Sequence, residues 1–323
     1  MMIFKKINFF TLFVLVGFLL AGLASVEAGT ATNQRTGTSY PNLQDAIDAA
    51  TSDDTLSLVG TFTGSFVINN KSLTLEGPTV DLYATLDGNG VGRVLEIIGN
   101  QKDHSLYSIN LSKLTIQNGS ATDASSNRGN GGGILSVYVN LNIFNLSLQN
   151  NKATSSGGGI AGLYSNLKIE DSEIQSCQAA TGGGINHLNS VSEIINSNIS
   201  SNTANQGGGG GILSNGSTVI ITGTLLEKNS SISLFGVGGG ICNSTNSTLN
   251  VNTSQISKNG ADSNGGGLYN ESVGTQVILV ASLITENVAG LQGGGIYNRG
   301  KSEQLIYADE EVVANIPDDV FQK

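Results

Sequence analysis

The chain lacks several things that common classes of protein need. It has no Trp, only 3 Pro among 323 residues, and aromatic residues make up only 6%. Charged residues are just 12%, with 15 basic against 25 acidic. Scarce Pro excludes a collagen, which needs Pro-rich text and Gly at every third place. An acidic balance disfavours nucleic acid or an anionic membrane as partner, because both are bound through basic surfaces. The 2 Cys, Cys177 and Cys242, are too few for a disulfide framework. Low charge together with 38% hydrophobic residues disfavours a disordered chain.

What the chain has in excess is Gly, at 44 residues. About half of it lies in seven triplets, each followed by Ile or Leu, that begin at Gly131, Gly157, Gly182, Gly209, Gly238, Gly265 and Gly293. Successive triplets are 25 to 29 residues apart, a period that marks a repeat architecture. A second anchor follows each triplet by 20 to 22 residues: Asn151, Cys177, Asn202, Asn229, Asn259, Asn287 and Asn315. The interval from triplet to anchor is nearly constant. The short connection back to the next triplet absorbs most of the length variation, as a loop does.

Gly triplets and β-branched runs disfavour a helical unit. Asn166-Leu167-Lys168-Ile169-Glu170 alternates with period two, and Thr218 to Thr222 and Gln276 to Val280 are β-type runs. Each unit therefore reads as three short strands: one after the Gly triplet, a middle run and a Ser-x-Ile-x-x-Asn strand. Such units fit turns of a parallel β-helix stacked roughly 4.8 Å apart, the strand spacing. Ile134, Ile160, Ile185, Ile212, Ile241, Leu268 and Ile296 form its interior row. The Gly triplets supply positive φ at one corner, and the anchor Asn residues are expected to take left-handed conformations at another while passing hydrogen bonds between turns. Asn243, Asn270 and Asn298 form a second, shorter row.

The expected organisation is a signal peptide over 1–28, an N-terminal cap over 29–52, irregular first coils over 53–130, repeat coils over 131–316 and a tail over 317–323. The signal reading rests on Lys5 and Lys6, the apolar run Phe9 to Ala24 and the small-x-Ala site Val26-Glu27-Ala28. Nothing after it is apolar and long enough to span a bilayer. In the cap, Leu43, Ala46, Ile47 and Ala50 place one apolar stripe on a helix over Asn42 to Ala50, suited to covering the open end of a solenoid. The whole is an all-β, single-stranded right-handed parallel β-helix of about nine to ten coils.

The repeated Gly-Gly-Gly-Ile with a following Ile-x-x-Asn resembles the Gly-Gly-Ala-Ile and Phe-x-x-Asn repeats of polymorphic outer membrane proteins. It is also similar to adhesin-like right-handed β-helix proteins of bacteria and methanogenic archaea. Leu43 to Ala50, Asp54-Thr55-Leu56 and Lys71 to Leu75 resemble the first turns of that group. The resemblance covers about residues 40 to 316 and implies the pectin-lyase-like fold. It implies an exported cell-surface or extracellular protein that binds glycans or the surface of a host or neighbouring cell. One departure is that no C-terminal outer-membrane barrel follows the repeats.

For the lyases of this fold, the resemblance would imply acidic Ca²⁺ ligands and an Arg or Lys base. The row after the interior Ile row, taken as an outer face, is Leu135, Ala161, Asn186, Leu213, Cys242, Tyr269 and Tyr297, with neither acid nor base. Glu170, Asp171 and Glu173 are the alternative catalytic carboxylates of a glycosidase, weighed against a solvated acidic strand face, and Asp309, Glu310 and Glu311 form a similar group. Tyr269 and Tyr297 are the candidate sugar-stacking residues, weighed against an ordinary cross-turn aromatic pair. His104 and His187 are read as exposed loop or turn residues. Cys177 and Cys242 lie too many turns apart to pair. No metal site and no cofactor is expected. A non-catalytic adhesin-like protein is the preferred reading, with a carbohydrate-active enzyme or a purely structural surface component as alternatives.

Overall fold

The computed structural model describes residues 27–78, 83–102, 106–122, 129–271, 274–301, 305–309 and 311–323. Residues 1–26 of the expected signal, and also His104 and Glu310, lie outside the described residues. The chain winds into a parallel β-solenoid of about nine turns. Each regular turn has four sides, seen in the turn that opens at Gly157. The first side is Ile160–Leu163, the second Asn166–Glu170, the third Glu173–Gln175 and the fourth Gln178–Ala179. Stacked turns join these into sheets of ten, twelve, ten and seven strands. Pairing is parallel and in register turn after turn, for example Ile160 with Ile134 and with Ile185. Among the described residues, only Thr30–Asn33 and Ser39–Tyr40 add antiparallel strands, at the N-terminal edge of the second sheet.

Four strands per turn replace the expected three. The fourth is two residues long, too short to display an alternation. A left-handed residue stands between each of the four sides and the next. In the Gly157 turn these are Tyr164 (φ 53°), Asp171 (φ 49°), Ser176 (φ 54°) and then Gly182 (φ 57°). The left-handed residue at the third of these corners therefore precedes the anchor, and the anchor Asn itself is not left-handed. Only the Gly corner is sterically obliged to be Gly. A Cβ on Gly158 would press on the Gly183 carbonyl of the next turn and on the Gln178 backbone.

A left-handed residue breaks the parallel ladder and turns the next N–H inward, where it needs an acceptor. Side chains of the following turn supply it. Ser165 N–H donates to Ser190 Oγ at 3.2 Å, and Ser190 N–H to Ser217 Oγ at 3.1 Å. At the next corner Ser172 N–H donates to Ser197 Oγ, and Ser197 N–H to Thr224 Oγ1, both at 3.2 Å. The anchor Asn residues do the same with their amide oxygens, from Cys177 N–H to Asn202 (2.9 Å) down to Asn287 N–H to Asn315 (2.9 Å). Cys177 does occupy one rung of this ladder.

The predicted Ile row is the core of the first side: Ile134, Ile160, Ile185, Ile212, Ile241, Leu268 and Ile296 are each 0% exposed. Ile174, Ile199, Leu226, Ile256 and Ile284 face them from the third side, also fully buried. The helix expected over Asn42 to Ala50 is Leu43–Ala49, with Asn42 accepting from Gln44 N–H and Asp45 N–H as its N-cap. It is the only helix among the described residues, and Leu43, Ala46 and Ile47 are buried with the core. Val320–Gln322, within the segment set apart as a tail, pairs in parallel with Ile296–Asn298.

Two expectations about single residues are corrected here. His187, read as an exposed turn residue, is 0% exposed and stands in the interior row of the first side. Small residues in the neighbouring rungs and Ser192, where other turns place Leu167 or Val219, leave volume for its ring. The row Leu135, Ala161, Asn186, Leu213, Cys242, Tyr269 and Tyr297 points away from the main core but is buried, except for half-buried Leu213. It forms two small apolar clusters of its own, one around Leu135 and Ala161 and one around Cys242, Tyr269 and Tyr297.

Candidate functional site

The corner between the second and third sides carries an open groove. It is lined by Asp171, Glu173, Asn196, Asn198, Asn145 and Tyr83, with Ser147 and Ser197 between them. The sequence brings them together in a simple way. Asn145, Asp171 and Asn196 are the left-handed corner residues of three successive turns, and Asn and Asp tolerate that conformation best among residues with a Cβ. Two residues further on, Ser147, Glu173 and Asn198 pair side by side on the third side. Each of these three turns thus contributes one corner side chain and one strand side chain to the same groove. Tyr83 reaches it from an earlier turn and donates its hydroxyl hydrogen to Asn145 Oδ1 at 2.5 Å. Asn198 Oδ1 is buried and has no hydrogen-bond partner.

Of the three carboxylates singled out in the sequence, the structure brings Asp171 and Glu173 into this groove and sends Glu170 elsewhere. Glu170 is in an ion pair with Lys168 on its own strand at 2.9 Å, and this pairing raises the Lys168 pKa. Asp171 and Glu173 stand two residues apart on the same turn. A glycosidase pair flanks the scissile bond from two sides, and the lining of the groove holds no further carboxylate.

Tyr269 and Tyr297 stack with centroids 5.2 Å apart and planes 7° from parallel, and Phe321 continues the stack at 5.1 Å. Both tyrosines are less than a tenth exposed. The ring faces that would receive a sugar are spent on neighbouring rings. Burial raises the Tyr269 pKa above the ordinary phenol value.

His187 Nδ1 lies 2.8 Å from Ser192 Oγ, and burial lowers the ring's pKa to about 3. Cys177 and Cys242 are buried free thiols. Burial pushes Cys177 up to about 12 and Cys242 further still. Among the described residues no group of three or more His, Cys, Asp or Glu is placed to hold a metal ion. Among them, too, no helix is long and apolar enough to cross a membrane.

The groove escaped the sequence reading because its residues differ from turn to turn. Asn145, Asp171 and Asn196 share a backbone conformation and not a residue type, and Asn and Ser are common throughout the chain. No protein-family model, curated protein or solved structure matches the chain.

Proposed function

We propose that the chain is an exported, non-catalytic, adhesin-like β-helix protein that binds glycan along the groove at Asp171 and Glu173. The single observation that carries this reading is the make-up of the groove. Carboxylates and amides can each engage neighbouring sugar hydroxyls in paired hydrogen bonds, and a phenol ring offers an apolar face. Polar side chains from three successive turns line an open surface, which suits an extended polymer better than a small enclosed substrate.

In this reading the coil is right-handed, helix Leu43–Ala49 caps its first turn, and the basic and apolar N-terminal text directs export. The resemblance to polymorphic outer membrane and adhesin-like repeats supports a place at the cell surface. A carbohydrate-active enzyme is the second reading, and the nearness of Asp171 and Glu173 is what favours it.

A glycan array tests the proposal, with Asp171→Asn, Glu173→Gln and Tyr83→Ala beside the unaltered protein. The expected result is binding to a defined glycan set that weakens at least about tenfold in each variant, the loss of one charged or well-placed hydrogen bond, without release of reducing ends or unsaturated products. Binding that survives all three substitutions overturns the site. Turnover that disappears in Asp171→Asn replaces the adhesin with an enzyme.

A further inference from the structure

Inside the first side, three consecutive rungs of one interior row each hold a buried polar atom without a partner. They are His187 Nε2, Ser214 Oγ and Asn243 Oδ1. His187 pairs in register with Ser214, and Ser214 with Asn243. All three residues are 0% exposed. Orphaned polar atoms are rare in folded interiors, because each forfeits its hydration without recompense.

The later rungs of the same row show how the gap is closed elsewhere. Asn243 Nδ2 donates to Asn270 Oδ1 at 2.9 Å, Asn270 Nδ2 to Asn298 Oδ1 at 2.8 Å and Asn298 Nδ2 to Gln322 Oε1 at 2.6 Å. An amide can donate at one rung and accept at the next, and so it spans the roughly 4.8 Å between turns. A serine hydroxyl is too short to do so. Two hydrogen bonds of about 2.8 Å meeting at one oxygen span that distance. His187 Nδ1 is already engaged by Ser192, so Nε2 is the ring nitrogen left without a partner.

We propose that the solenoid interior has a built site for two ordered waters, one joining His187 Nε2 to Ser214 Oγ and one joining Ser214 Oγ to Asn243 Oδ1. The waters extend the amide ladder of Asn243, Asn270, Asn298 and Gln322 by two rungs and tie it to the His187–Ser192 pair. Each water has polar partners above and below, as buried waters require. The site belongs to the frame of the coil and stands independent of the glycan groove.

A crystal structure of the full chain, at a resolution that shows ordered water, tests this directly. Two density peaks are expected, each within hydrogen-bond distance of both of its named atoms. A dry gap, or side chains turned so that these atoms bond protein groups directly, overturns the proposal. Ser214→Asn provides the second measurement. Its amide should bond Asn243 Oδ1 and displace the lower water alone, with the fold kept. If the variant gains the bond but no peak is lost, the lower site is wrong.

Discussion

Asn229 Oδ1 accepts two hydrogen bonds from the turn before it, one from the Asn202 backbone N–H and one from Asn202 Nδ2, both at 3.0 Å. Asn229 Nδ2 in turn donates to the Ile199 carbonyl at 2.8 Å. One buried side chain thus satisfies three groups of a neighbouring turn, and the relation recurs at Asn259 and Asn287. Asn229→Ala strands the Asn202 backbone N–H and one of the two Asn202 Nδ2 hydrogens in the core, the other remaining on the Ile174 carbonyl. Thermal or chemical denaturation should show a loss of about 2–4 kcal/mol, given about 1–3 kcal/mol for each buried group left unsatisfied. A loss below half a kcal/mol would mean the ladder is not what holds this corner.

Cys177 is the flaw in that ladder. Its Sγ lies 4.0 Å from Asn151 Nδ2, where the other rungs place an amide oxygen near 3.0 Å. Cys177→Asn restores the regular rung, and its amide hydrogen can reach the preceding turn as Asn202 Nδ2 reaches the Ile174 carbonyl. A gain of about 1 kcal/mol is expected, the usual net worth of a hydrogen bond, read as a higher denaturation midpoint. A destabilised variant would show that the thiol is packed for its volume and not tolerated as a substitute.

These residues also show which parts of the structure were open to sequence reading. The Gly triplets, the Ile row and the anchor Asn row were legible because steric contact, apolar packing and the ladder each demand nearly one residue type at a regular interval. The Ser and Thr corner ladders were not. A hydroxyl acceptor is met by either residue, Leu146 and Val139 begin those ladders without one, and Ser is frequent everywhere else. The interior place of His187 was hidden for a similar reason: Ser136, Gly162, His187, Ser214 and Asn243 look like a surface row. Their shared interior position emerges only from the register of the turns. The candidate groove needed that register and the corner conformation together.

Both thiols should be inert while the fold persists. Thiolate is the reactive form, and burial holds both groups far above their ordinary value, Cys177 at about 12. Maleimide labelling of the native protein at neutral pH should leave Cys177 and Cys242 unmodified by mass spectrometry, and both should label once denaturant unfolds the coil. Fast native labelling of Cys242 would indicate that the cluster around Tyr269 opens readily.

His187 makes stability depend on pH in a predictable direction. Burial lowers its pKa in the folded state from 6.5 to about 3, so the unfolded chain binds the proton more readily. Its contribution is therefore complete above pH 6.5 and is lost as pH falls from 6.5 toward 3, by up to about 1.4 kcal/mol per pH unit for one proton. Carboxylates such as Asp54, held low by the Arg35 guanidinium and the Asn33 amide, add to the loss only nearer their own unfolded value of 3.8. Denaturant midpoints between about pH 6 and 5 therefore isolate the histidine. The unaltered protein should weaken across that range, and His187→Asn should flatten the slope. Equal slopes would place the ring in contact with bulk solvent and contradict its burial.

The coil register makes a paired prediction about where the chain tolerates change. Ile212 is fully buried between Ile185 and Ile241, and Ile212→Asp puts an unpaired charge among apolar side chains, a cost of several kcal/mol. The connection between Asn229 and Gly238 behaves oppositely: Leu234 and Phe235 are 90% and 79% exposed at its tip. A Gly-Ser insertion between those two residues lengthens a loop that already varies from turn to turn, at an entropic cost of well under 1 kcal/mol. Circular dichroism and denaturation should show the point variant unfolded or badly weakened and the insertion nearly unchanged. The reverse pattern would shift the strand register by placing residue 212 on the surface and the 234–235 segment inside, which the stacked triplets at Gly182, Gly209 and Gly238 do not permit.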